Sequence, residues 1–187
     1  VWISTDGRSW TRVEHDDRVF GDEESFTQMD DVVAGGPGFV AVGAEASRDQ
    51  LTGDRLPFAN EALGRALVGP GELRAAIWVS GDGLIWRRIP KSQLPQGPDD
   101  KIRLHAVARG PDGLVAIGWR GEGEQIDAVV WASPDGENWT VAADPAGAFE
   151  GQGGQFMADV AAHDSGLVSV GADGAVFGFN NAVWVSP

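Results

Sequence analysis

Short apolar runs cut by glycine-rich turns recur along this chain, and they recur in the same order. Four segments place a Trp between small or branched apolar residues and end on Ser: Val1-Trp2-Ile3-Ser4, Ile77-Trp78-Val79-Ser80, Val130-Trp131-Ala132-Ser133 and Val183-Trp184-Val185-Ser186. Three of them continue as Ser-x-Asp-Gly-x-x-Trp. The residues are Ser4, Asp6, Gly7 and Trp10; Ser80, Asp82, Gly83 and Trp86; and Ser133, Asp135, Gly136 and Trp139. A second block also repeats. Asp31-Val32-Val33-Ala34 leads to Phe39-Val40-Ala41-Val42-Gly43, and its copies end in Leu114-Val115-Ala116-Ile117-Gly118 and Leu167-Val168-Ser169-Val170-Gly171. Internal repetition of this kind governs the reading of everything else.

Each repeat predicts four strands, A to D. Alternation such as Val40/Val42 and Val115/Ile117 has the period of two that separates the faces of a strand. Strand A is the Val32, Val107 or Val160 run and strand B the run ending in Gly43, Gly118 or Gly171. Strand C carries the first Trp and strand D begins at the second. Gly-Pro-Gly, Pro-Asp-Gly and Asp-Ser-Gly predict hairpin turns between A and B, and Asp-Gly predicts a tight turn between C and D. Trp78, Trp131 and Trp184 are spaced at 53, whereas Trp2 and Trp78 are 76 apart. The extra residues fall between strands B and C, at 45–74, where Phe58–Leu67 predicts a short helix.

Composition supports an all-β chain: 27 Gly and 8 Trp in 187 residues, with no Cys and no Tyr. Without cysteine there are no disulfides and no thiolate zinc sites. A net charge of −14 sets a repulsive field against nucleic acid, so no nucleic-acid partner is expected. No apolar run approaches the ~18 residues that a membrane span requires.

A four-stranded meander repeated about every fifty residues resembles a β-propeller blade. The Ser-x-Asp-Gly-x-x-Trp turns resemble the Asp-box, or BNR repeat, of bacterial sialidase-like propellers, although the family's motif has one more residue between Asp and Gly. The resemblance implies strands C and D of one blade at 1–13, a blade at 26–90 with the 45–74 insertion, a blade at 102–143 and a partial blade at 156–187. These are expected to be about three blades of a ring of six or seven, so that the chain's partner is the rest of its own propeller; a second copy pairing three blades with three is the alternative. The resemblance implies an extracellular or cell-envelope location. A sialidase uses a Tyr nucleophile, an acid/base Asp and an arginine cluster, and this chain has no Tyr. Arg88-Ile89-Pro90 is similar to the family's Arg-Ile-Pro motif but follows a box turn instead of preceding the first, and is read as a strand end with a Pro stop.

The box residues are read as structural: Asp6, Asp82 and Asp135 bind backbone N–H groups of their own turns, and Trp10, Trp86 and Trp139 pack on the neighbouring sheet. No catalytic, cofactor or metal residue is assigned. The D–A links Glu14–Gln28, Lys91–Lys101 and Asp144–Gln155 share a face with the B–C insertion, and binding is expected there. Its candidates are Asp16, Asp17, Asp22 and Glu23 in the acidic loop, Asp31 and Asp159 near strand A, and Trp119 at the end of strand B. The acidic loop is either a solvated charge run or a site for a divalent cation or basic partner. Asp31 and Asp159 either cap turns or present carboxylates. Trp119 either packs under the insertion or stacks on a sugar. His15, His105 and His163 occupy different repeat positions and share no metal role. The expected function is a non-catalytic interaction or scaffold module binding protein or glycan through this face. The alternative is part of a sialidase-like glycoside hydrolase or a carbohydrate-binding propeller.

Overall fold

In a computed structural model the chain is all-β, with antiparallel sheets. Described here are residues 1–47, 73–122, 125–144, 146–151, 153–164, 166–174 and 180–186. The expected helix at Phe58–Leu67 lies outside the described residues.

Among the described residues four sheets form in chain order. The hairpin β1 (Trp2–Ile3) and β2 (Thr11–Arg12) comes first. Next is a meander of β3 (Ser25–Gly35), β4 (Gly38–Ser47), β5 (Arg74–Ser80) and β6 (Trp86–Arg88). A second meander contains β7 (Ile102–Gly110), β8 (Gly113–Glu122), β9 (Gln125–Ser133) and β10 (Thr140–Val141). A three-stranded sheet of β11 (Gly154–His163), β12 (Gly166–Gly174) and β13 (Asn180–Ser186) ends the series. Helix is confined to α1 (Asp17–Phe20) and a 3-10 turn at Lys91–Gln93 among the described residues. No described helix is long and apolar enough to cross a membrane.

The repeat is physical as well as textual. The β3–β4 turn is the two-residue hairpin expected at Gly36-Pro37, with Gly35 paired to Gly38, and Gly110 pairs with Gly113 in the next sheet. Gly36 has φ of 56°, the left-handed conformation that such turns need. The same irregularity then interrupts each first strand: the register shifts between Met29 and Asp31, between Leu104 and Ala106, and between Met157 and Asp159. Each is a β-bulge. Opposite each bulge sits the glycine that ends the repeated apolar run. A Cβ on Gly43, Gly118 or Gly171 would lie 1.9–2.0 Å from the carbonyl oxygen of Gln28, Arg103 or Phe156. The three glycines recur because the bulged partner strand occupies the place of a side chain.

The turn between third and fourth strands differs from the expected tight Asp-Gly hairpin. Ser80 pairs with Trp86, so residues 81–85 form a longer loop closed by side chains. Ser80 Oγ accepts the Gly83 N–H at 2.8 Å, and Asp82 Oδ1 accepts the Leu84 and Ile85 N–H groups at 2.8 and 2.9 Å. Ser4/Asp6 and Ser133/Asp135 make the same bonds. Gly7, Gly83 and Gly136 hold φ of 71°, 78° and 79° in these loops. Within each loop, the Trp86 and Trp139 indoles donate to the Gly83 and Gly136 carbonyls.

The sheets stack face to face. β7 lies against β3, β4 and β5, and β11 lies against β7, β8 and β9. The first junction places Val40, Val42, Ile77 and Val79 against Leu104, Leu114, Trp131 and Trp139. Ala106, Ile117 and Val130 meet Met157 and Trp184 at the second. Asp31 fastens the first junction from within: Oδ1 accepts the Val32 N–H, and Oδ2 accepts the Val107 N–H of the next sheet at 2.9 Å. Beside it Asp30 holds Arg103 through two bonds of 2.8 Å.

Candidate functional site

The links from fourth to first strands gather at one end of the sheets, opposite the box turns. The first link is the acidic one, and its carboxylates are largely spent on its own shape. Asp16 caps α1 by accepting the Arg18 N–H and grips the Arg18 guanidinium with both oxygens. Asp17 lies 3.1 Å from the His15 ring. Asp22 accepts the Glu24 N–H and the Ser25 hydroxyl, closing the turn into β3. These bonds pull the carboxyls of Asp16 and Asp22 below their ordinary pKa, through Arg18 and Ser25 first. Glu23 is exposed. Trp78 anchors the link from below, its indole donating to the Val19 carbonyl at 2.7 Å.

The other links are tied to strands in a comparable way. Gln96 mimics a strand neighbour of β5: its Oε1 accepts the Ala75 N–H and its amide donates to the Ala75 carbonyl. Asp144 accepts the Ala148 and Phe149 N–H groups, and the Trp184 indole donates to the Ala148 carbonyl. Rigid scaffolds that present shaped loops are the usual bearers of recognition sites.

Between the first link and the ends of β4, β5 and β6 lies a cleft of about 400 Å³, lined by Asp17, Asp22, Glu45, Arg74, Arg88 and Lys91 among others. Among them Glu45, 6% exposed, forms ion pairs with both Arg88 and Lys91. Burial lowers the Arg88 pKa from its ordinary value, with Asp22 opposing. A buried carboxylate in such a site is tolerable only because two cations meet it. The cleft therefore offers mixed charge on a fixed frame, suited to polar or charged groups. Glu45 was legible only as the one acid in the otherwise small, apolar end of the β4 run; nothing in the repeat marks Arg88 or Lys91 as its partners.

The predicted face residues do not converge. Asp16, Asp17, Asp22 and Glu23 belong to the first link, with Asp17 and Asp22 at the cleft. Asp31 lies within the junction between sheets, where it accepts backbone N–H groups. Asp159 is the matching residue of β11 and accepts the Val160 N–H at 2.8 Å. Of the two readings of Trp119, the stacking platform is excluded: it is 4% exposed, on β8 with Arg103 and Ala128 as its cross-strand partners. Trp10 is corrected too. Trp86 and Trp139 are 8% and 5% exposed, but Trp10 is 59% exposed. No group of three or more potential metal ligands occurs among the described residues.

Comparison with protein-family models, curated proteins and solved structures returned no match.

Proposed function

We propose that this chain is a non-catalytic interaction module whose sheets are blades of an Asp-box propeller, and that it binds a protein or glycan through the link face around Glu45. The observation that carries this reading is the use to which the acidic groups are put. Asp6, Asp82 and Asp135 bind backbone N–H groups of their own turns, and Asp16 and Asp22 do the same in the first link. A carboxylate committed to two to four local bonds holds a loop in place and is poorly suited to receive or donate a proton. The stacking of first strands across neighbouring sheets supports the propeller arrangement, in which such strands lie innermost. A secreted or envelope location follows from the family resemblance alone.

A glycan array and a panel of chromogenic glycosides test the reading with the chain as it stands. Binding without turnover, weakened by Lys91→Glu or Asp22→Lys and untouched by Leu84→Lys at a box turn, is expected if the ligand is a glycan. Turnover that disappears on Asp22→Ala or Glu23→Ala would replace the scaffold with a glycoside hydrolase.

A further inference from the structure

Five aspartates of this chain precede a glycine: Asp6, Asp82, Asp112, Asp135 and Asp173. Such pairs are prone to rearrange, because glycine has no side chain to screen its amide nitrogen from the aspartate carboxyl. The structure treats one of the five differently. In the box turns the reacting groups are held apart. Asp82 Oδ1 accepts the Leu84 and Ile85 N–H groups, while the Gly83 N–H donates to Ser80 Oγ at 2.8 Å. Asp135 and Gly136 are bound in the same way, and Gly83 and Gly136 are both buried. These bonds keep the Asp82 and Asp135 carboxyls below their ordinary pKa, through the Ile85 and Asn138 N–H groups first, so the neutral acid that can lose water is scarce. Asp173 lies within β12, where its Oδ1 accepts the Gln155 side-chain amide at 3.0 Å. Asp112 stands at the exposed tip of the β7–β8 hairpin, and among the described residues its carboxylate has no hydrogen bond or ion pair. Gly113 pairs only with Gly110, at the closing step of the hairpin, where strand pairs open most readily. Glycine is obligatory there: φ is 137°, and a Cβ would lie 2.3 Å from the Ser133 carbonyl oxygen. The matching glycines, Gly38 and Gly166, follow Pro37 and Ser165, so the second of the three hairpins alone joins this glycine to an aspartate.

We infer that Asp112–Gly113 is the chain's site of spontaneous isomerisation to isoaspartate, and that the box turns shield the Asp-Gly bonds they contain. The Gly113 amide nitrogen loses its proton and attacks Asp112 Cγ. A C–N bond forms, the carboxyl hydroxyl leaves as water, and a succinimide ring results. Water then opens the ring on either side. Attack at Cγ restores aspartate, whereas attack at the main-chain carbonyl carbon leaves the chain running through Cβ and Cγ. Water is the only co-reactant and the mass is unchanged. The product lengthens by one main-chain atom a turn that already packs against Ser133 and Pro134. In a box turn, ring closure first requires the Asp carboxylate to give up its backbone partners and the glycine N–H to leave the serine hydroxyl. The inference does not depend on the function proposed for the link face.

Incubating the chain for several weeks at neutral pH and physiological temperature tests the inference, with peptide mapping by electron-transfer fragmentation to count isoaspartate at each site. The expected result is isoaspartate accumulating at Asp112 at least tenfold faster than at Asp82 or Asp135. In concentrated urea, where every bond has the same glycine neighbour and no turn, the three rates should converge to within about threefold. Asp112→Ser, which installs the residue that precedes Gly166, should remove the main product and leave the other sites unchanged. Ser80→Ala, checked for folding by circular dichroism, frees the Gly83 N–H and should raise the rate at Asp82 severalfold without altering that at Asp112. Equal rates at Asp112 and the box sites in the folded chain would overturn the inference. A tenfold difference that persists in urea would overturn it as well, because the cause would then lie in the sequence and not in the turns.

Discussion

Replacing Gly118 by Ala tests why the apolar run of every repeat ends in glycine. The added Cβ would lie 1.9 Å from the Arg103 carbonyl oxygen and 2.9 Å from both the Arg103 carbonyl carbon and the Leu104 Cα. All three are backbone atoms, so no side chain can swing aside. Relief requires β7 to draw away from β8 at the bulge by an ångström or more, where Leu104 pairs with Gly118 and Arg103 with Trp119. Overpacking costs about 1–3 kcal/mol, and each weakened ladder bond about 1 kcal/mol more. With two such bonds the sum is about 3–5 kcal/mol, or about 2–4.6 kcal/mol after a gain of about 0.4–1 kcal/mol from the stiffer unfolded chain. For a chain of this length, each 1 kcal/mol moves Tm by about 2–4 °C, so a fall of roughly 4–18 °C is expected. Gly81→Ala is the control. Its Cβ would meet nothing closer than the Pro37 carbonyl oxygen at 3.7 Å, and the matching positions hold Thr5 and Pro134. It should change stability by less than about 0.5 kcal/mol. Thermal unfolding followed by circular dichroism reads both. A Gly118→Ala Tm equal to that of Gly81→Ala would refute the steric account of the bulge.

The remaining predictions concern pH and the box turns. His105 is held neutral, its pKa pushed down to about 4 by burial and then by Arg103, with Asp30 opposing. The unfolded chain therefore takes up the proton first, and stability falls as pH drops from about 6.5 to about 4. His105→Gln should flatten that part of a Tm–pH curve. Asp135→Ala removes the acceptor for the Glu137 and Asn138 N–H groups and should lower stability by about 1 kcal/mol at neutral pH. The Asp135 pKa is lowered to about 2 by the Asn138 backbone bond first. Its contribution is therefore present above about pH 4 and lost as pH falls towards 2, where the Tm of parent and variant should converge.

The repeat made the strand order, the hairpins at Gly36 and Pro111, and the structural use of the box carboxylates legible, because each depends on residues close in sequence. What stayed hidden depends on residues far apart. The bulge that explains Gly43, Gly118 and Gly171 leaves no mark on strand A, since its three bulged residues are Asp30, His105 and Ala158, with no chemistry in common. Asp31 read either as a cap or as a presented carboxylate; only the neighbouring sheet supplies the Val107 N–H that it accepts. Trp119 departs from the repeat and read either as packed or as a sugar platform; its place in β8, between β7 and β9, buries it. The Glu45 cluster joins two strands and a link, so no local pattern records it.

The link face exists only if neighbouring sheets pack through their first strands, and the Val107 amide reports that packing directly. Val107 lies on an edge strand, and its N–H is met by Asp31 of the preceding sheet. Hydrogen exchange measured residue by residue on the chain should find Val107 strongly protected, and Asp31→Ala should raise its exchange rate by at least tenfold while the Gly83 amide, bonded within its own box turn, keeps its rate. Exchange of Val107 at the rate of an open chain in the parent would contradict the stacking of these sheets.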